Sequence, residues 1–342
     1  MNTSTHSSAP SLHPRPVAWR ERFAQAAIFI LLAGLVVLFQ SKEPTFLSVG
    51  NVFSIMQAVS IVALLGVGVA VTLAVDGFDL SVGSIAAFSQ MTASYILVVL
   101  HGSALAAVAG CLLFGVLAGL LNGLLIVRLR IPDQLATLGT LFLLAGLQLI
   151  PTGGRSLTTG TILPDGSTAT GSFPDTFLAL GRLQVGGVVP VPVIVLALVT
   201  LLLWFVMEFT RWGRVFYAVG GNETAARLAG APTHRYRVAA YVISATIASL
   251  GGVLLSARIG RGDVSVGNSL LLDSVAAALI GYAVWGANRP NVLGTVIGAI
   301  FVGVLLNGLT MLNAPYYTQD FVKGLILVGA LAITFSLSRK AR

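Results

Sequence analysis

Two carboxylates stand in the stretch VDGFDLSVGS (75–84), Asp76 and Asp79, with long apolar runs on both sides. A charge inside a bilayer is costly and marks function by default. Three chemistries suit this pair. They could form a proton or cation site. They could hydrogen-bond a polyol at a broken helix. Or Asp79 could cap the helix that follows, with Ser81 and Gly83 shaping the turn. The order DLS ahead of an apolar run favours the cap.

Other polar groups lie in or beside the apolar runs: Gln57, Gln90, Asn122, Gln134, Gln148, Asp273 and Asn307. Most are neutral amides, which suit an uncharged, hydroxylated cargo better than an ion. Asp79, Ser81, Asn122, Gln148 and Asn307 are therefore the expected pathway residues. The two asparagines also have a structural reading, as hydrogen-bonding bridges between helices. Gly115, Gly119 and Gly123 recur at one helical face, as do Gly294 and Gly298, and such faces allow close helix packing.

The elements that position these groups follow from composition. The 342 residues are 56% hydrophobic and 9% charged, against about 25% charged in soluble domains. Apolar runs of about 20 residues recur, long enough to cross a bilayer as helices. An all-α polytopic membrane protein is expected. Its ten expected spans are 23–41, 52–75, 82–101, 104–128, 134–151, 188–208, 238–258, 271–287, 291–313 and 321–338. Residues 1–19, rich in Ser, Thr, Pro and His, read as a disordered cytoplasmic tail. The first apolar run ends in FQSKEP without a small-residue cleavage site, so it reads as an uncleaved span.

With the N-terminus inside, inner segments carry fourteen of the 20 Lys and Arg residues. Positive-inside bias then places both termini in the cytoplasm. The net charge of +8 belongs to loops between spans and is no nucleic-acid signal. The 36-residue segment 152–187 becomes an outer loop, either a solvated linker or a docking or lid element.

An internal repeat shows next. DLSVGS (79–84) is matched by DVSVGN (263–268). Asn122 follows Asp79 by 43 residues, and Asn307 follows Asp263 by 44. Each Asn-Gly precedes a proline, Pro132 or Pro315, and then another span. The first motif follows span 2 and the second follows span 7, on opposite sides of the membrane. The halves 52–151 and 238–338 thus read as inverted repeats, an arrangement of transporters.

Several classes are excluded. The three lysines, Lys42, Lys323 and Lys340, follow no G-x-x-x-x-G, so any ATP-driven step needs another chain. Cys111 is the single cysteine and the four histidines are scattered, so no metal site is expected. No nucleophilic triad is visible, and no catalytic residue is expected. An ion-coupled secondary transporter using Asp76 and Asp79 remains the alternative.

The stretch GGNETAARLAGAPTHRYR (220–237) gathers charge between spans 6 and 7. Residues 222–230 predict a short helix, with Asn222 as cap, Glu223 in its first turn, Gly230 at its end and Pro232 beyond. This segment could rest on lipid phosphates, or it could be an exposed knob that a partner grips.

TAARLAG (224–230) resembles the EAA-x-x-x-G loop of binding-protein-dependent ABC transporter permeases, with Thr224 in the place of Glu. VFYAVGGNETAARLAGA (215–231), DGFDLSVGS (76–84), LLNGLLIVRLRIPDQLATLGTL (120–141), LLNGLTML (305–312) and DFVKG (320–324) together resemble monosaccharide permeases related to the ribose permease. The resemblance runs in order over roughly residues 20–338. It implies a bacterial inner-membrane permease for a pentose, hexose or related polyol, with a nucleoside or branched-chain amino acid as alternative cargo. It implies a second permease copy or paralogue in the bilayer, two ATPase subunits that hold ATP and Mg, and an extracytoplasmic sugar-binding protein. Asn222, Glu223, Thr224, Ala225, Ala226, Arg227 and Gly230 fall at the implied ATPase contact, within a coupling loop 211–237. The resemblance departs at LIGYAVWGANRPN (279–291), where Tyr282, Trp285 and Arg289 stand in place of small residues.

Overall fold

The computed structural model describes residues 19–284 and 289–339. Trp285 and the first eighteen residues, most of the expected tail, lie outside the described residues. The chain is a helical bundle, and each of the ten expected apolar runs contains a helix. In order these are α1 (Trp19–Lys42), α2 (Val49–Leu73), α3 (Val82–Val98), α4 (Ala104–Val127) and α5 (Asp133–Leu147). A short α6 (Asp175–Arg182) follows, then α7 (Val191–Phe209), α8 (Arg211–Gly221) and α9 (Glu223–Leu228). The chain continues with α10 (Thr233–Ile259), α11 (Val266–Val284), α12 (Val292–Met311) and α13 (Tyr316–Arg339). By length and composition six segments among the described residues can cross a membrane: α2, α4, Asp133–Thr152, α7, α10 and α12. Ile28–Lys42, α3 and Val266–Tyr282 are shorter apolar helices. This is a multi-pass α-helical membrane protein.

The core is built on α2 and α10, which lie antiparallel. Gly68 of α2 packs on Ser244 of α10, and Gly251 of α10 meets Leu65 and Ile61 of α2. Most of the apolar α2 stretch from Val59 to Thr72 is buried, so α2 is apolar all round, as a central helix must be. α4 lies on α10 through the expected glycine face: Gly115 meets Ala245 and Ser249, Gly119 meets Val242, and Gly123 meets Val238. A Cβ on any of the three would press on the α10 backbone or side chains, so backbone contact replaces side-chain packing there. Gly294 and Gly298 do not take the corresponding partner. They pack on Gly281 and Ala277 of α11, and Gly303 instead packs α12 on Val59 of α2.

The two halves repeat their packing. α3 sits on α10 and α4, as α11 sits on α2 and α12. α3 touches α5, as α11 touches α13. α3 runs parallel to α10, with Ser89 hydrogen-bonded to Ser249 (2.8 Å) and Ser94 to Ser256 (3.1 Å). The two motifs also touch each other directly. Gly83 lies against the backbone of Gly267 and against Leu271, while Gly267 lies against Ala87 and Gly83. These are the corresponding glycines of DLSVGS and DVSVGN. α3 and α11 therefore meet by their N-terminal ends and leave in opposite directions.

Residues 152–187 are an ordered cap and not a plain linker. Leu157 pairs with Gly262, Ile162 with Thr168, and Leu157, Leu163, Ala169 and Phe177 bury with α3 and α4 side chains. A small hairpin (Gln184–Val185 with Val189–Pro190) delays the start of α7 to Val191. α6 was not expected from the sequence, because its eight residues are too few for a clear periodic signal.

Candidate functional site

Between α2 and α3 the chain leaves helix at Leu73 and re-enters it at Val82. Asp76 is in the left-handed region (φ 58°), and Gly220 of α8 packs on Ala74 and Asp76, so this turn lies at the α9 end of the bundle. From there residues 77–81 run inward to the start of α3. Asp79 is 0% exposed. The expected cap role needs correction. Ser81, not Asp79, occupies the cap position of α3, and its side chain makes no cap bond. Asp79 instead folds a local turn: its Oδ1 accepts from the Ser81 backbone N–H (2.9 Å) and hydroxyl (2.6 Å). Its Oδ2 accepts from the Ser244 hydroxyl of α10 (2.9 Å). Both carboxylate oxygens are thereby satisfied in a buried place, as burial of such a group requires.

The same turn recurs at the second motif. Asp263 Oδ1 accepts from the Ser265 N–H (3.0 Å) and hydroxyl (2.7 Å), and Oδ2 accepts from Arg261 (2.7 Å). The two extended segments thus enter the bundle from opposite ends and carry α3 and α11 to their meeting point at Gly83 and Gly267.

Asn122 connects this segment to two other helices. Its Nδ2 donates to Ser81 Oγ (2.8 Å), and its Oδ1 accepts from Thr140 of α5 (2.6 Å). Asn307, its counterpart, exchanges two hydrogen bonds with Asn51 of α2, both 3.0 Å. Both amides bridge helices. Fully buried and bonded to one another, Asp79, Ser81 and Asn122 present no free surface. Gln148 and Gln90 differ. Gln90 donates to the Arg261 carbonyl (3.1 Å) and Gln148 to the Val264 carbonyl (3.3 Å), both in the second extended segment. Their own amide oxygens are buried and without a protein partner.

At the α9 end the expected short helix is present. Asn222 caps α9 by accepting from the Ala225 N–H (2.9 Å), and Gly230 (φ 86°) lets the chain turn away. Only glycine adopts that φ without strain. Ala226 is buried, while Thr224, Ala225 and Arg227 are exposed. Leu228 is 84% exposed, the most exposed large apolar side chain among the described residues.

α9 is tied inward by groups that the sequence did not single out. Glu223 accepts from Arg237 of α10 (3.0 Å). Arg237 also forks onto Asp133 of α5, with Nη2 donating to both oxygens (2.7 and 2.9 Å). The Tyr241 hydroxyl donates to Asp133 as well (2.7 Å). From Asp133, one face of α5 continues through Thr137, which donates to the Phe78 carbonyl (3.2 Å), to Thr140 at Asn122. These positions are i, i+4 and i+7 on one helix. A line of hydrogen bonds thus joins α9 to the buried turn at Asp79. Asp133 and Arg237 lie 104 residues apart, so no local pattern pairs them. The one usable signal was a charge placed at the edge of each span.

At the end of the departing segment, Arg289 and Pro290 are held beside α8. Arg289 pairs with Glu208 (2.8 Å) and lies over the Tyr217 ring at 4.6 Å. The Tyr217 hydroxyl donates to the Pro290 carbonyl (3.1 Å), and burial pushes its pKa up to about 12. Among the described residues no group of three or more His, Cys, Asp or Glu could hold a metal ion.

Residues 51–331 match the family described as branched-chain amino acid transport system / permease component. The chain is 33% identical over 304 residues to the ribose import permease protein RbsC of Escherichia coli strain K12, covering 89% of this chain and 91% of that protein. It is 29% identical over 340 residues to the D-allose transport system permease protein AlsC of the same strain, covering 99% and 100%. It is 32% identical over 315 residues to the autoinducer 2 import system permease protein LsrC of Enterobacter sp. strain 638, covering 92% and 86%. No solved structure matches the chain. With most of its length matched by the family, and with relatives aligned nearly end to end, the chain belongs to the permease components of membrane import systems.

Proposed function

We propose that this chain is the membrane-spanning permease subunit of an ATP-driven importer for a monosaccharide or related polyol, lying in the bacterial inner membrane with both termini cytoplasmic. One observation carries the coupling part of this reading: α9 is exposed at its tip and hydrogen-bonded at its root. An 84% exposed leucine, Leu228, stands at one end of a capped, charge-bearing helix, beside the exposed Arg227 that a partner can engage. At the root, Glu223–Arg237–Asp133 leads along α5 to the segment that holds Asp79. A partner ATPase that moves α9 would pull on α5, and α5 would pull on the start of α3. Asn222 to Arg227 and Gly230 are the coupling residues. ATP and Mg belong to that partner, and a binding protein outside delivers the cargo.

Asp79, Ser81, Asn122 and Asn307 position the pathway helices in this reading and do not face cargo. The amide oxygens of Gln90 and Gln148 are acceptors that sugar hydroxyls can use once the second extended segment moves. The names of the ribose and D-allose relatives support a monosaccharide. The ion-coupled alternative is weaker, because both Asp79 oxygens are already occupied by donors from Ser81 and Ser244.

The test is a gentle pull-down of the tagged chain from its host, followed by uptake in vesicles. A P-loop ATPase at near-equal stoichiometry, with ATP-dependent sugar uptake, is expected. A chain that purifies alone and takes up solute under a proton or sodium gradient would overturn the proposal.

A further inference from the structure

Two cavities lie end to end where α4 crosses α10. The first is a groove of about 330 Å³ lined only by Leu117, Leu120, Leu121, Leu124 and Val238. Its four leucines are exposed on the flank of the bundle. The second is a cleft of about 520 Å³ at the α9 end, reached by Val127, Arg130, Arg227, His234 and Arg237. Helix geometry makes them continuous. His234 is one turn before Val238 on α10, and Val127 is one turn after Leu124 on α4. From Leu117 to Val127 the pair spans roughly 15 Å at 1.5 Å per residue.

The charge of the cleft is uneven. Its two carboxylates, Asp133 and Glu223, are both taken by Arg237. Among the described residues no carboxylate pairs with Arg130 or Arg227. Arg130 is moreover held at φ 57°, a conformation that L side chains rarely adopt. That turn brings its guanidinium to the cleft wall. A basic recess at the end of an apolar groove matches a molecule with an anionic head and a hydrocarbon tail. Basic pockets between membrane helices bind lipid head groups on this principle.

We propose that the α4–α10 groove and cleft form a binding site for an anionic phospholipid. The phosphate sits among Arg130, Arg227 and His234, and one acyl chain lies along Leu117–Leu124 and Val238. A head group there would neighbour Glu223 and Thr224, so the lipid would contact the root of α9. The site does not depend on which cargo the protein carries.

The experiment is native mass spectrometry of the full chain in mild detergent. Phosphatidylglycerol, phosphatidylcholine with the same acyl chains, and inorganic phosphate are titrated in turn. Phosphatidylglycerol is expected to be retained over phosphatidylcholine by about fivefold for each engaged arginine. Arg130→Gln should remove most of that preference. Leu124→Trp, which fills the groove at an exposed position, should lower retention of both lipids. Equal retention of the two lipids would overturn the proposal. So would a preference untouched by either variant, which places the lipid elsewhere. Phosphate that binds without competition from phosphatidylglycerol would make this an anion site only. Loss of the lipid whenever a co-purifying ATPase is bound would make the cleft a protein interface.

Discussion

Gly83 and Gly267 lie in backbone contact at the point where α3 and α11 meet. They are the same residue of the two repeats, so the local two-fold relating the halves passes between them. Each half delivers its helix to this point by an extended segment with an Asp–Ser turn. A Cβ on Gly83 would press on the Gly267 carbonyl oxygen, a backbone atom that cannot rotate away. Gly83→Ala is expected to destabilise the protein by about 1–3 kcal/mol, the usual cost of overpacking. Thermal denaturation in detergent checks this, with Gly146→Ala, which meets nothing within 4 Å, as control. Equal melting temperatures for the two variants would refute the contact.

Arg237 holds two acids with a planar fork. Lys keeps the charge but not the bidentate geometry. Arg237→Lys should therefore retain part of the uptake, and Arg237→Ala should lose about tenfold or more, the cost of one to two charged hydrogen bonds. Uptake by Arg237→Ala at the parental rate would remove α5 from the coupling line.

Asn122 satisfies Ser81 and Thr140 at once, in a place with no water access. Asn122→Leu removes one hydrogen bond from each hydroxyl, while Ser81 keeps Asp79 and Thr140 keeps the Ala136 carbonyl. A loss of about 0.5–1.5 kcal/mol for each removed bond is expected from denaturation. Thr140→Val alone should cost less, because Asn122 keeps its bond to Ser81.

Gly230 is required by φ 86° and not by crowding, since nothing lies within 4 Å of an added Cβ. Gly230→Val should strain the turn after α9 by about 1–2 kcal/mol. Transport should be lost while the amount of chain in the membrane, measured by immunoblot, stays constant. Normal uptake by this variant would count against α9 as the coupling element.

Lys323 and Asp273 form a largely buried pair between α13 and α11 (3.1 Å, side chains 14% and 11% exposed). Removing one partner from such a pair typically costs about 3–5 kcal/mol, while removing both costs much less. A double-mutant cycle with Lys323→Met and Asp273→Leu is expected to show this coupling. Strictly additive effects would mean that the pair contributes nothing.

Helices, repeat and the short helix α9 were legible because each rests on local chemistry. Runs of about 20 apolar residues can satisfy their backbone in lipid only as helices. DLSVGS and DVSVGN announced the repeat, and Asn222 and Gly230 announced both ends of α9. The resemblance to sugar permeases rested on such local strings and pointed to the family that matches residues 51–331.

What only the tertiary structure decided is which distant groups meet. Asp79 read as a helix cap, yet its burial against α10 and its bond to Ser244 make it the pin of a turn. Asp133 carries no local motif, yet packing sets it against Arg237 and Tyr241. Gly83 read as shaping a turn, and only packing brings it and Gly267 into one contact. Hydrophobic periodicity specifies that a segment is a helix and which residues are apolar. It carries no information on the partner of a buried polar group, because that pairing depends on how antiparallel helices align across the bundle.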